Sequence, residues 1–187
     1  MYTPRLIFTY ELDKYRQHLL SLDNESRVLR FGYPISNENI NAFCDTIEKN
    51  PKEHTIFAIE NAALEFVGIG HIVVVDEKME LAFSVLPEYQ GQGIGNTLIR
   101  RCIQWCRANN ILQGCMVCLS KNYAMRHLCL KNGIRIHNEY GELMGDIVLD
   151  NPTLSTYVSE GVDLNIAALD YMSKRFYFSW PFRPQNA

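Results

Sequence analysis

No stretch of this 187-residue sequence approaches the roughly 20 consecutive apolar residues that a membrane-spanning helix needs, so no membrane span is expected. A strong charge imbalance is missing as well. The 18 Lys and Arg against 21 Asp and Glu leave a formal charge of −3, which gives no electrostatic basis for binding nucleic acid or an anionic membrane surface. The opening residues, MYTPRLIFTYELDKY, have no basic segment followed by an apolar core, so no secretory signal is read there and a cytoplasmic location is the expectation. Internal repeats and low-complexity segments are absent too. Six cysteines are present, but Cys115-x-x-Cys118 lacks the second ligand pair that would close a zinc site, so no metal is expected. Buried, reduced thiols acting as small apolar residues are the expectation instead. A hydrophobic fraction of 47% and a charged fraction of 21% suit one globular domain with a full core.

What is present centres on Met79 to Asn110. Met79, Leu81, Phe83 and Val85 alternate with Glu80, Ala82 and Ser84, the period of a strand. Pro87, which has no N–H to give, ends that ladder. Glycines then occupy every second position in Gln90-Gly91-Gln92-Gly93-Ile94-Gly95, and from Asn96 the period becomes helical, with Leu98, Ile99, Cys102 and Cys106 on one face. Strand, glycine loop and helix make a phosphate cradle, because a helix start offers unpaired N–H groups and glycine lets the backbone approach closely. A nucleotide-triphosphate loop would need Gly-Lys-Ser/Thr, and the chain has Ile94-Gly95-Asn96. A dinucleotide fingerprint would need an acid at the end of the next strand, and Ile111 to Leu119 contains none. The pattern that fits is Q/R-x-x-G-x-G/A, met by Gln90, Gly93 and Gly95. It resembles motif A of the GNAT acetyltransferase superfamily, in which this loop holds the pyrophosphate of acetyl-coenzyme A.

The remaining elements follow the order of that superfamily over roughly residues 5–150. Arg5 to Tyr10 reads as a strand and Glu11 to Leu22 as a helix. Ser21 to Ser36 reads as a polar connection, and Ser36 caps a helix carrying Ile40, Phe43, Cys44 and Ile47 inward. Strands are expected over His54 to Glu60, Phe66 to Val75 and Ile111 to Leu119, a helix over Asn122 to Lys131, and a hairpin around Tyr140-Gly141. The expectation is therefore an α/β (α+β) GNAT fold: a central, mostly antiparallel mixed sheet flanked by helices. Residues 1–150 form the acetyltransferase domain and residues 151–187 a C-terminal extension. That extension begins as a helix at Thr153, weakened by Gly161, and ends in the aromatic run RFYFSWPFRP. The run either folds back on the domain or makes a dimer contact or a lid.

A second segment resembles the family motif N-x-x-A-x-x-L-Y-x-x-x-G-F. Asn122, Leu128 and Gly133 match it, while Met125, Cys129 and Ile134 replace the Ala, Tyr and Phe. Among relatives, this variant resembles the acetyltransferase domains of some bacterial protein-lysine acetyltransferases. The resemblance implies that Gln90, Gly91, Gln92, Gly93, Ile94, Gly95 and Asn96 grip the pyrophosphate of acetyl-CoA and that Asn122 contacts the pantetheine arm, besides capping its helix. It also implies that the backbone of Phe83, Ser84 and Val85 holds the pantetheine amides and polarises the thioester. Cys129 stands where many relatives place a tyrosine that protonates the leaving thiolate, so it is read either as that donor or as a packing residue. A lysine acceptor, with a pKa of about 10.4, needs a base; Glu80 is the first carboxylate for that role, with solvated strand residue as its other reading, and His71 is second. Arg30 and Tyr33 are candidates for orienting the acceptor, Arg30 alternatively pairing with Asp23 or Glu25. The implied activity is direct acetyl transfer from acetyl-CoA to an amine on a small molecule or a protein, with a homodimer as a possible assembly. A catalytically silent acyl-CoA-binding module and an interaction subunit are the alternatives.

Overall fold

The computed structural model describes residues 2–139 and 141–179. Seven strands form one sheet: β1 (Arg5–Leu6), β2 (His54–Glu60), β3 (Phe66–Val75), β4 (Lys78–Val85), β5 (Gln113–Leu119), β6 (Arg135–Glu139) and β7 (Glu142–Val148). Their spatial order is β1-β2-β3-β4-β5-β7-β6, antiparallel throughout except for the parallel pair β4 and β5. Helices α1 (Leu12–Leu20), α2 (Asn24–Phe31) and α3 (Asn37–Lys49) precede β2. Helix α4 (Ile94–Ala108) joins β4 to β5, α5 (Tyr123–Lys131) joins β5 to β6, and α6 (Leu154–Ser179) follows the sheet. The fold is thus the α/β GNAT architecture, and no described helix is long and apolar enough to cross a membrane.

Two apolar clusters, one on each face of the sheet, follow from the alternation of side chains along the strands. Met79, Leu81 and Phe83 of β4 join Ile94, Leu98, Ile99, Cys102 and Cys106 of α4 on one face. Ile56, Ala58 and Ile69 join Leu12, Tyr15 and Leu19 of α1 and Ile40, Cys44 and Ile47 of α3 on the other. Helix α4 lies so close to β3 that a Cβ at Gly68 would fall 2.5 Å from the Ile94 Cγ2 and one at Gly70 2.7 Å from the Cys102 Sγ. Those two strand glycines are what seats the helix that starts at the loop.

Three local expectations are corrected. The first strand stops at Leu6, because residues 9–11 turn into a short 3-10 helix in which the Glu11 carboxylate accepts from the Phe8 N–H at 3.0 Å. The polar connection after α1 is a helix, α2. Its N-cap is Asp23, whose carboxylate accepts from the Ser26 N–H at 2.7 Å, and its left-handed C-cap is Gly32. The aromatic run is not separate from the helix after Thr153, which passes through Gly161 and continues through Phe176, Tyr177 and Phe178 to Ser179. Trp180 and Phe182 of the aromatic run, and Tyr140 of the hairpin, lie outside the described residues. Helix α6 is tied across the domain at several places. Arg101 makes a bidentate pair with Glu160 at 2.7 and 2.8 Å, Lys174 Nζ donates to the Glu60 carbonyl at 3.2 Å, and the Arg5 guanidinium lies 4.3 Å from the Tyr171 ring centroid.

Candidate active site

The site is made where the sheet parts. Strands β4 and β5 pair only at Lys78↔Gln113, Met79↔Gly114 and Glu80↔Cys115. From Leu81 onward β4 keeps β3 on one side, while its other edge pairs with no strand among the described residues. Unpaired peptide groups on such an edge are satisfied by whatever chain enters the gap. One group there is already used: the Val85 carbonyl accepts from Gln90 Nε2 at 3.1 Å, which ties the loop back onto the strand.

A cavity of about 430 Å³ fills this gap. Its floor is Phe83, Ser84 and Val85 of β4, and one end is the loop and first turn of α4, with Gln90, Gly91, Gly93, Ile94, Gly95 and Asn96. Gly91 and Gly93 have φ of +74° and +82°, a region that side chains strain. Gly93 is the N-cap of α4 and supplies no side-chain cap, so the first-turn N–H groups face the cavity end without an internal acceptor. Together with the helix dipole this arrangement suits an anion. Asn122, Met125, His127, Leu128 and Lys131 of α5 form one wall and Ser26, Leu29 and Arg30 of α2 the other. Among the described residues, no aspartate or glutamate lines the cavity, whereas Arg30, Lys131 and His127 do.

The residues named from sequence are distributed unevenly over this site. Phe83, Ser84, Val85, Gln90, Gly91, Gly93, Ile94, Gly95, Asn96, Asn122 and Arg30 all line the cavity. Gln92 turns away from it, donating to the Glu88 carbonyl at 3.1 Å and accepting from the Tyr2 hydroxyl. Asn122 is buried and its side-chain oxygen accepts from the Met125 N–H at 3.0 Å, so the capping role holds and the NH₂ group is what remains for a ligand. Tyr33 is exposed and does not contribute to the lining. Glu80 is exposed at the point where β4 and β5 part, also outside the lining. Cys129 is fully buried, its Sγ 3.7 Å from the Met116 Sδ, and burial pushes its pKa up to about 11. His71 is fully buried among Tyr15, whose hydroxyl is 3.1 Å from Nδ1, and His54, whose Nδ1 is 3.0 Å from Nε2. Arg30 has no carboxylate partner among the described residues, and its buried Nε lacks a hydrogen bond.

Sequence reasoning named Arg30 but read its segment as a connection rather than as helix α2, and it passed over Ser26, Leu29 and, beneath the floor, His18. His18 Nδ1 is 2.8 Å from the Phe66 carbonyl and Nε2 is 2.8 Å from the Ser84 hydroxyl. The signal for α2 was available in Asp23 and Gly32, a cap at each end of eight residues. Nothing in the sequence marks His18, because its partners are 48 and 66 positions away.

Comparisons with known proteins agree with this geometry. Residues 17–134 match the Acetyltransferase (GNAT) family. No curated protein matches the sequence. Among solved structures, the GNAT domain of the S. lividans protein PAT superposes with a TM-score of 0.64 at 18% identity, covering 78% of this chain and 89% of that one. The ribosomal-protein-S5-alanine acetyltransferase of Vibrio fischeri gives 0.62 at 14%, covering 80% and 93%. The spermidine N-acetyltransferase of Vibrio cholerae, solved in complex with CoA and spermine, gives 0.61 at 17%, covering 84% and 98%. At these identities the structures speak for the fold alone. It is the family match, over more than half of the sequence, that shows the chain to be a member of the GNAT acetyltransferase family.

Proposed function

We propose that the protein is an acetyl-CoA-dependent N-acetyltransferase that moves the acetyl group directly from the thioester to an amine. The observation that carries this reading is the continuity of one cavity. It joins the uncapped start of α4, an anion site, to the open edge of β4, where Phe83, Ser84 and Val85 offer peptide groups. Gly91 and Gly93 hold the loop against a pyrophosphate, the Asn122 NH₂ group meets the pantetheine arm, and an N–H of the β4 edge polarises the thioester carbonyl.

The charge of the lining supports an acceptor that carries an acidic or polar group beside its amine. Arg30, without a carboxylate partner, suits a carboxylate, and a lining that lacks Asp and Glu offers nothing to the cations of a polyamine. An amino acid or a protein N-terminus fits this pattern better than spermidine. An α-amine, with a pKa near 8, also needs less deprotonation than a lysine. A silent acyl-CoA-binding module remains the second reading, favoured by the burial of Cys129 away from the cavity. The exposed apolar side chains of α6, among them Leu154, Val158 and Leu169, support a homodimer; a monomer in analytical ultracentrifugation removes that reading.

Thiol release from acetyl-CoA, with a cell extract split into metabolites and proteins, tests the function. Release with either pool is the expected outcome, and acidic or zwitterionic amines should be the productive fraction. Measurable acetyl-CoA binding with silence in both pools would leave the binding module. The loop is tested beside it: Gly93→Asp sets a charge against the pyrophosphate and should weaken acetyl-CoA binding about tenfold or more, roughly 1.4 kcal/mol, while Gly93→Ala carries the backbone strain without the charge.

A further inference from the structure

Ser84 and His18 form a pair that backbone contacts to a ligand do not explain. Ser84 lines the cavity floor, and by the alternation of β4 its side chain shares a face with Ala82 and Glu80, the side covered by α1 and α2. His18, on α1, is 3% exposed and lies directly behind it. The hydrogen bonds fix the tautomer of the ring. A peptide carbonyl only accepts, so at 2.8 Å from the Phe66 oxygen the Nδ1 atom must carry the proton. Nε2 is then the bare nitrogen, and the Ser84 hydroxyl, 2.8 Å away, donates to it. A hydroxyl on a buried residue of the cavity floor, a histidine behind it as acceptor, and a third group orienting the histidine make an activated hydroxyl.

Resting on the transfer reaction proposed above, we infer that Ser84 takes the proton of the attacking amine and passes its own to Nε2 of His18, so that this pair is the base of the reaction. As the amine nitrogen bonds to the thioester carbon, its N–H proton moves to the Ser84 Oγ while the Ser84 proton moves to Nε2. The carbon–sulfur bond breaks, and the relay runs in reverse to deliver one proton from His18 through Ser84 to the departing thiolate. Amine and thioester become amide and thiol, with no proton gained or lost by the protein. One pair thus serves both transfers, which accounts for a site where Cys129 is packed away from the cavity and Glu80 stands outside the lining. The groups facing His18 are consistent with this. Burial, together with the Arg30 charge on α2, holds the ring neutral against the raising effect of the Phe66 carbonyl on β3, with a pKa of about 4, so its lone pair is available at neutral pH. Ser84 touches the reacting proton; His18 acts through it and is a positioning residue and proton store.

The test uses the full chain with acetyl-CoA and whichever amine supports thiol release. Ser84→Ala should lower kcat about 10²-fold, leave the acetyl-CoA Kd unchanged, and lose less as pH rises and hydroxide takes the proton of the attacking amine in place of the pair. Ser84→Thr, which keeps the hydroxyl, should restore most of the rate. His18→Gln should lose about as much, and the double variant no more than either single one, as for residues that act as a unit. If His18→Gln fails to fold, His18→Asn keeps a donor toward the Phe66 carbonyl and takes its place. Nitrogen-15 spectra of the histidine rings give a readout apart from turnover: a proton on Nδ1 and a bare Nε2 at neutral pH are expected. An unchanged kcat in Ser84→Ala, a pH-independent loss, additive losses in the double variant, or a pH-dependent loss found in Glu80→Gln instead would each overturn the relay while leaving the acetyltransferase reading intact. An acetyl group trapped on Ser84 would also overturn it, making Ser84 a nucleophile. Wild-type protein that binds acetyl-CoA and never releases thiol overturns the function and the relay together.

Discussion

Two histidines are sealed under the sheet without an acid to pair with, and that makes the fold sensitive to protons. Burial holds the pKa of His18 at about 4, against 6.5 for a free ring, and pushes His71 well below its usual value, helped by the charges of Arg30 and His54. Because the folded values are depressed, the unfolded chain binds these protons first. Stability is therefore complete above about pH 6.5, falls as the pH drops below it, and levels off for His18 only below about pH 4. For His18 alone the linkage amounts to about 3 kcal/mol, a large share of the 5–15 kcal/mol typical of a domain. Urea midpoints measured at pH 7.5 and pH 5 should show this drop, and His18→Gln should show a smaller one whatever its starting stability. A midpoint insensitive to pH across that interval would contradict the sealed, neutral ring. At this scale the sequence was informative wherever the constraint is local. Gly91 and Gly93 could be picked out because positive φ and close approach belong to the residue itself. The pairing of His18 with Ser84 could not, since it exists only once α1 has docked on β4.

At the scale of elements, the strand-loop-helix unit was legible and α2 was not, for one physical reason. The β4–α4 unit announces itself by a change of period from two to 3.6, with one apolar face in each part. Helix α2 has only eight residues and buries none of them completely, so its apolar side is too short for periodicity to read; it is held by its caps, by Phe31 against Phe43, and by Arg27, which donates to the Leu22 and Leu20 carbonyls at 3.0 and 2.7 Å. A helix secured in this way is easy to loosen. Asp23→Ala removes the N-cap at a cost of about 1 kcal/mol, and it should act on the wall that carries Ser26, Leu29 and Arg30 rather than on the whole domain. The expected signature is a higher KM for the acceptor with an unchanged acetyl-CoA Kd and a melting temperature within a few degrees of wild type. Equal weakening of both ligands would place α2 elsewhere in the reaction. Helix α6 shows the converse case. Gly161 costs on the order of 1 kcal/mol in a helix interior, yet one residue earlier the Arg101–Glu160 pair clamps the same turn, and tertiary contact overrides the local preference.

For the whole molecule, a small ionic cluster joins parts that are remote in the chain. Arg5 of β1 meets Glu11 at 2.6 and 2.7 Å and Glu60 of β2 at 2.5 and 3.2 Å, all three buried, with the Tyr171 ring of α6 above the guanidinium. Lys14, partly exposed, lies 3.7 Å from Glu11 and 3.8 Å from Glu60. Removing the arginine leaves two buried carboxylates facing one cation, the situation in which breaking a buried pair costs about 3–5 kcal/mol. Arg5→Ala should therefore unfold at a markedly lower temperature and release α6 to proteolysis, whereas substitution of the exposed Arg100 should do neither. Loss of both carboxylates along with the arginine should recover much of the stability. None of this was visible in the sequence, where Arg5 and Glu60 are simply charged residues 55 positions apart.

The parting of β4 from β5 has a mechanical side. The sheet is two panels, β1 to β4 and β5 with β7 and β6, stitched by three residue pairs and by the helix that bridges them. Pulled apart across that seam, the protein should tear there before any full-length strand pair yields. A ligand held in the gap, as proposed for acetyl-CoA, would add stitches along this short seam, so the force needed to open it would gauge whether the site is filled.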